Sequence, residues 1–276
     1  MTLAGATLAG PVRPAKVLQR GLEAGRARPA ILSLQGSWTW AELEDKANRL
    51  AANYLALGLE PGDRVASLMP NRIELLAHYL ACFKSGLVTT PLNYRYTPPE
   101  IDHALSVSGA RIILAHVERA SDIAASKAAS LPLGIVTYGG DGTGPSLEAL
   151  LQAEPPPIVL TEHDPAAPAV IFFTSGSTGP AKGVTHSVDS LGWLLASAAA
   201  AFEMSADDIV LPGSSCSHIG GFGLSFSALS AGAKAVVARS FDHAELGPLL
   251  RKMRPTMMSM LPTALLHLIR EEGNLG

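Results

Sequence analysis

Cysteine is nearly absent from this 276-residue chain: only Cys82 and Cys216 occur, far apart and in no CxxC pattern. That excludes a disulfide framework and a cysteine-based zinc site, and makes a reducing cytoplasm the expected compartment. Charge of either sign is also sparse. The 21 Lys and Arg stand against 24 Asp and Glu, for a formal charge of −3, and no basic run is present to follow a phosphodiester backbone. Nucleic acid is therefore not an expected partner. Long apolar runs are missing too. The longest, LGWLLASAAAAF at Leu191 to Phe202, is too short to span a bilayer, and the opening MTLAGATLAG has no basic residue before its apolar part. Neither a membrane span nor an export signal is expected.

What the chain does have is core material, with 47% hydrophobic residues and a mean hydropathy of +0.24. This is enough for one large domain or two smaller ones. Short apolar runs alternate with helical patterns. Thr39 and Glu42 form a capping box ahead of a helix whose Leu43, Ala47, Leu50, Tyr54 and Leu57 share one face. Gly58 and the turn Pro61 to Asp63 then lead into the strand RVASLM. The unit repeats: a helix from Ile73 closed by Gly86, the strand LVTTPL, a helix begun by the Thr97/Glu100 box, and the strand RIILAH. PLGIVTY and AVIFFT follow as strands, separated by a Gly- and Pro-rich stretch with room for one short helix. Strands apolar on both faces and separated by helices predict an α/β fold of layered, parallel-rich sheets with helices on both faces. The proline-rich segment 155–168 reads equally as a boundary between two subdomains and as a surface excursion within one. The alanines at 198–201 suit a buried helix, and Met257, Met258 and Met260 suit a core.

The stretch FFTSGSTGPAKGV, Phe172 to Val184, carries the chemistry. An apolar strand runs into it and a helical pattern runs out, so the context predicts strand, loop, helix rather than a flexible spacer. Glycines let consecutive N–H groups converge, Thr174, Ser175, Ser177 and Thr178 add hydroxyls, and Lys182 adds the charge that a polyphosphate needs. A Walker A loop requires GxxxxGK followed by Ser or Thr. Here Ala181 replaces its last glycine and Gly183 its magnesium-binding hydroxyl, so that pattern fails twice.

Thr174, Ser175, Gly176, Ser177, Thr178, Gly179, Pro180, Ala181, Lys182 and Gly183 instead resemble the signature loop of the adenylate-forming enzymes. That superfamily comprises the acyl-CoA synthetases, luciferases and peptide-synthetase adenylation domains. The proline sits one place early, and Ala181 takes its usual position. Two further segments agree in order: Gly58 to Leu114, with a GDRV strand, a PN turn and a PLN segment, and LPGSSCSHIGGFG, whose His218 and Gly221 match the acyl-pocket motif. Cys216 and Ser217 replace the bulky residues usual before that histidine, and Val188 stands where many relatives carry a histidine.

The resemblance implies an N-terminal nucleotide- and acyl-binding domain, and an acid:thiol ligase that joins a small-molecule carboxylic acid to AMP and then forms a thioester. ATP, Mg2+ and CoA are the implied cofactor and co-substrates. Thr174, Ser175, Gly176, Ser177, Thr178, Gly179 and Lys182 would hold the triphosphate, and His218, Gly220 and Gly221 would line the acyl pocket. A single histidine at a helix start can also be mere packing, and Cys216, two residues away, reads as a small core residue. Asp242 reads as a helix cap. Residues 1–276 contain none of the family's YGxTE glutamate, TGD aspartate or late adenylation lysine. The chain is therefore expected to be an incomplete N-terminal domain, without the C-terminal domain and inactive by itself, with a noncatalytic nucleotide-binding or association module as the alternative. The identity of the acid, and whether copies associate as a homo-oligomer, stay open.

Overall fold

The computed structural model describes residues 2, 3, 6, 7, 10–140, 144–154, 163–174, 179–260 and 262–272. In chain order come β1 (Thr2–Leu3), β2 (Ala6–Thr7), α1 (Gln19–Gly25), β3 (Pro29–Leu32), β4 (Ser37–Thr39), α2 (Trp40–Ala56), β5 (Arg64–Leu68) and α3 (Ile73–Ser85). Next are β6 (Val88–Pro91), α4 (Pro98–Ser108), β7 (Ile112–His116), α5 (Ala120–Ala124), β8 (Ile135–Tyr138), α6 (Leu147–Gln152), β9 (Pro168–Thr174) and β10 (Lys182–Ser187). The rest is α7 (Val188–Ala201), β11 (Ile209–Gly213), α8 (Ile219–Ala231), β12 (Lys234–Val236), α9 (His243–Met253), β13 (Met257–Met260) and α10 (Pro262–Glu272). These elements form two interleaved units. One comprises Met1–Glu44, Pro70–Glu74 and Gly192–Gly276, and the other Asp45–Met69 and Leu75–Leu191.

The second unit is built on a six-stranded sheet in the order β10-β9-β6-β5-β7-β8. All its pairings are parallel except β9 with β10. Buried Ala66, Leu68, Ile101, Ala104, Leu105, Ile113 and Phe173 form one packed cluster of its core. The capping box predicted for α4 is formed: Thr97 and Glu100 bond reciprocally, and Gly109 ends the helix at φ +62°. Arg64 then holds the freed helix end, donating from Nε to Ser108 O at 2.8 Å and from Nη2 to Gly109 O at 2.6 Å. The α4 helix is thus fixed at both ends. Tyr54 and His78, both fully buried, share a 2.8 Å hydrogen bond, and burial pushes the His78 pKa down to about 3.

The first unit carries a five-stranded sheet, β13-β11-β12-β3-β4, again parallel except for one edge pair, β3 with β4. Trp40 is fully buried and lies against α1 at Gly21, where a Cβ would come 2.3 Å from its ring. The Thr39/Glu42 capping box forms as expected, and Leu43, Ala47, Leu50 and Tyr54 are buried on the predicted face, while Leu57 is half-buried and lies one residue past the helix end.

Three expectations are corrected. An antiparallel strand, β10, stands between the loop and α7, so the context is strand, loop, strand, helix. Val184 and Thr185 favour extended backbone, and the strand lies on the sheet edge, where an exposed, polar run is tolerated. Met258 is exposed at 38%, while Met257 and Met260 pack only partly, because β13 is an edge strand. The alanines 198–200 are half-buried and Ala201 is exposed. Within the proline-rich stretch, residues 155–162 lie outside the described residues, and 163–168 belong to the second unit.

Candidate functional site

The predicted phosphate loop is the connection of a β-hairpin. Lys182 pairs with Thr174, Gly183 with Phe173, and Val184 with Phe172, so the two ends of the loop are held side by side. Phe172 and Phe173 are buried, whereas Thr174, Gly179, Pro180 and Lys182 are exposed. The ladder therefore ends with Phe173 buried on the outgoing strand, and with Thr174 and Lys182, both exposed, on opposite strands at its mouth. Ser175, Gly176, Ser177 and Thr178 lie outside the described residues. Among the described residues no atom lies within 4 Å of where a Cβ at Gly179 would sit.

On the return side Ala181 is half-buried, its methyl packed against the core cluster that contains Ile101, Ala104 and Phe173. Its carbonyl accepts a 2.7 Å hydrogen bond from His103 Nε2 on α4. Gly183 lies close beneath: a Cβ there would meet Ile171 Cγ2 at 3.1 Å and Val107 Cγ1 at 3.6 Å. Sequence reasoning missed His103. Its partner is a backbone carbonyl, which leaves no trace in side-chain identity, and 78 residues separate the two.

The second predicted cluster, His218, Gly220 and Gly221, belongs to the first unit, and the loop residues belong to the second. His218 is the N-cap of α8, exposed and in extended conformation, and its side chain makes no capping bond. Its N–H donates to Ser215 O at 3.0 Å, closing the turn before the helix. Gly220 is exposed, with Ser214 Oγ 3.4 Å from a hypothetical Cβ. Gly221 is buried, and a Cβ would lie 2.5 Å from both Ser214 O and Ser215 O. This glycine is needed for close approach of helix and turn.

Asn71, from the PN turn, organises the same turn from within the unit. Buried to 6% exposure, its Nδ2 donates to Ala238 O at 3.1 Å and to Ser214 O at 3.4 Å, while its Oδ1 accepts from Cys216 N at 2.8 Å. The sequence marked the PN turn but not this bracing role. Cys216 is buried, and burial pushes its thiol up to about 12, against the smaller opposing effect of Ser225. At neutral pH it is a thiol, and it packs rather than attacks. Asp242 caps α9 as expected, accepting from Glu245 N at 3.0 Å. Among the described residues no three His, Cys, Asp or Glu side chains gather as a metal-ligand set.

Comparison with known proteins follows the same lines. The family model for AMP-binding enzymes matches residues 18–276. Over 229 residues the chain is 30% identical to a feruloyl-CoA synthase from Amycolatopsis sp, covering 82% of this chain and 44% of that protein. It is 31% identical over 249 residues to the fatty acid–acyl-carrier-protein ligase ScoC of Streptomyces coeruleorubidus, covering 89% of this chain and 47% of that one. The fold matches ATP-bound MatB from Rhodopseudomonas palustris with a TM-score of 0.81 at 28% identity, covering 93% of this chain and 51% of that structure. The chain thus spans about half the length of these relatives.

Proposed function

The chain belongs to the AMP-binding enzyme family, among the adenylate-forming enzymes, and on that premise we propose that the whole protein is an AMP-forming acid:CoA ligase. The observation that carries this reading is the hairpin mouth, where exposed Thr174 and Lys182 pair across a ladder whose outgoing strand is buried next at Phe173 and Phe172 and whose return strand stays exposed at Gly183 and Val184. In the first step a carboxylate oxygen of the substrate attacks the α-phosphorus of ATP, the bond to the bridging oxygen breaks, and pyrophosphate leaves. The product is an acyl adenylate. In the second, the thiol of CoA attacks the acyl carbon, the bond to the phosphate oxygen of AMP breaks, and the thiol proton is released with AMP. Thr174, Ser175, Gly176, Ser177, Thr178, Gly179 and Lys182 hold the β and γ phosphates, and Lys182 offsets the charge that develops on departing pyrophosphate. Mg2+ arrives with the nucleotide as part of the substrate, and no step is assigned to an ion held by this chain.

His218 and Gly220, exposed at the start of α8, line the entry for the acid, and Gly221 lets the helix approach the turn. The acid is proposed no more narrowly than a small-molecule carboxylic acid, since the relatives' names cover an aromatic and a fatty acid. The same two names differ in acyl acceptor, and CoA is proposed over a carrier protein on the strength of the first. No helix among the described residues is long and apolar enough to cross a membrane, and both cysteines are free and buried, which fits the proposed cytoplasmic location.

The second reading is a noncatalytic nucleotide-binding or association module. Carboxylate-dependent exchange of labelled pyrophosphate into ATP separates the two. The whole protein is expected to exchange and residues 1–276 alone are not. Exchange by neither supports the module, and robust exchange by residues 1–276 removes the claim that segments outside them are needed.

A further inference from the structure

We propose that His103 is a positioning residue for Lys182, a role that rests on the reading of the hairpin loop as a triphosphate holder. Four observations converge on it. The donor stands on α4, whose start is closed by the Thr97/Glu100 box and whose end is held by Arg64, so the imidazole projects from a helix fixed at both termini. The acceptor is Ala181 O, which can only accept, so Nε2 carries a proton, and the 2.7 Å distance is that of a well-formed bond. The methyl of Ala181 is packed into the core cluster, so residue 181 is held through its side chain and its backbone together. Immediately beyond it the chain becomes exposed at Lys182, and Gly183 lies against Ile171 and Val107 with no side chain of its own.

The anchoring therefore stops one residue short of the cation. The bond fixes the carbonyl of the peptide whose N–H belongs to Lys182, and with it the direction in which the Lys182 Cα–Cβ bond leaves the strand. A lysine has a long, rotamer-rich side chain, and a fixed base narrows the volume its ammonium explores. The ladder pairs Lys182 with Thr174, and the bond from His103 adds a second hold on the return strand. Ala181 stands where the family loop carries proline. The hydrogen bond and the buried methyl supply by contact the stiffness that a proline ring would supply covalently.

The test uses the intact protein with three substitutions. His103→Phe keeps a ring of similar size and removes the donor, His103→Gln presents an amide N–H at comparable reach, and Lys182→Ala removes the cation. In pyrophosphate exchange, His103→Phe is expected to raise KM for ATP roughly three- to tenfold, the loss of about one hydrogen bond, with KM for the acid unchanged. Trypsin should cut after Lys182 faster in His103→Phe, without nucleotide present, and His103→Gln should restore both readouts. If His103→Phe yields too little folded protein, His103→Glu, which turns an acceptor toward the same carbonyl, takes its place. Equal KM increases for ATP and acid, an unchanged cleavage rate, or failure of His103→Gln to rescue would each overturn the positioning role. If Lys182→Ala leaves KM for ATP unchanged, the loop reading itself falls and the proposal with it. If Lys182→Ala raises it while His103→Phe does not, only the role of His103 is lost.

Discussion

The hairpin mouth and the turn before α8 treat their polar groups in opposite ways. At the turn, Asn71 satisfies two carbonyls and an N–H, His218 N closes on Ser215 O, and Gly221 is pressed against backbone on two sides. At the hairpin only the base is secured, through the ladder, Ala181 and His103, and Thr174, Gly179 and Lys182 stand open. A turn whose donors and acceptors are already paired among themselves fixes a shape. Exposed groups such as those of Thr174 and Lys182 stay available to bind. On the proposed reading the hairpin serves the nucleotide, while the paired groups of the turn fix the start of α8 from which His218 and Gly220 project.

The comparison breaks most readily at its glycines. Gly221→Ala forces a methyl against two carbonyl oxygens and is expected to cost about 3 kcal/mol of stability by chemical denaturation. Gly179→Ala meets nothing within 4 Å among the described residues and should leave stability within about 0.5 kcal/mol while raising KM for ATP. Equal destabilisation by the two would erase the distinction. Next in size, Asn71→Ala leaves buried backbone groups unpaired and should cost about 2 to 3 kcal/mol, read from the denaturation midpoint. An Asn71→Ala protein as stable as the parent would show that the turn does not depend on this brace.

A pH-dependent effect, small near neutrality and growing with acid, sharpens the comparison from the core of the second unit. His78 is neutral when folded, with a pKa near 3 set by burial, against an ordinary value of 6.5 when exposed. As pH falls below 6.5 the unfolded chain takes up a proton that the folded chain refuses, so stability is full above 6.5 and declines as pH drops toward 3. The expected slope is up to about 1.4 kcal/mol per pH unit. His78→Gln should flatten that portion of the stability profile, and an unchanged slope would show that another group governs it.

Both capping boxes, the Gly86 helix end and the alternation of strands with helices were legible in the sequence, because each is encoded within a few residues of where it acts. The hairpin was half legible. Glycines, hydroxyls and lysine announced the loop, but β10 is exposed and polar on a sheet edge, and its pairing with β9 carries no apolar signature of its own. His103 and Asn71 were invisible as site-builders for one reason: each works by bonding main-chain atoms far along the chain. Met258 failed as a core residue since the neighbours of β13 decide its burial, not its side chain.

The interleaving of the two units also has a temporal side. In β3, Ile31 finds its parallel partner Ala235 in β12 only after the whole of the second unit has been synthesised. A chain emerging from the ribosome can complete β5 to β10 early, while the apolar β3 waits with β4 as its one available neighbour. Vectorial synthesis thus orders the two units in time, with the pairing of β3 and β12 among the last steps.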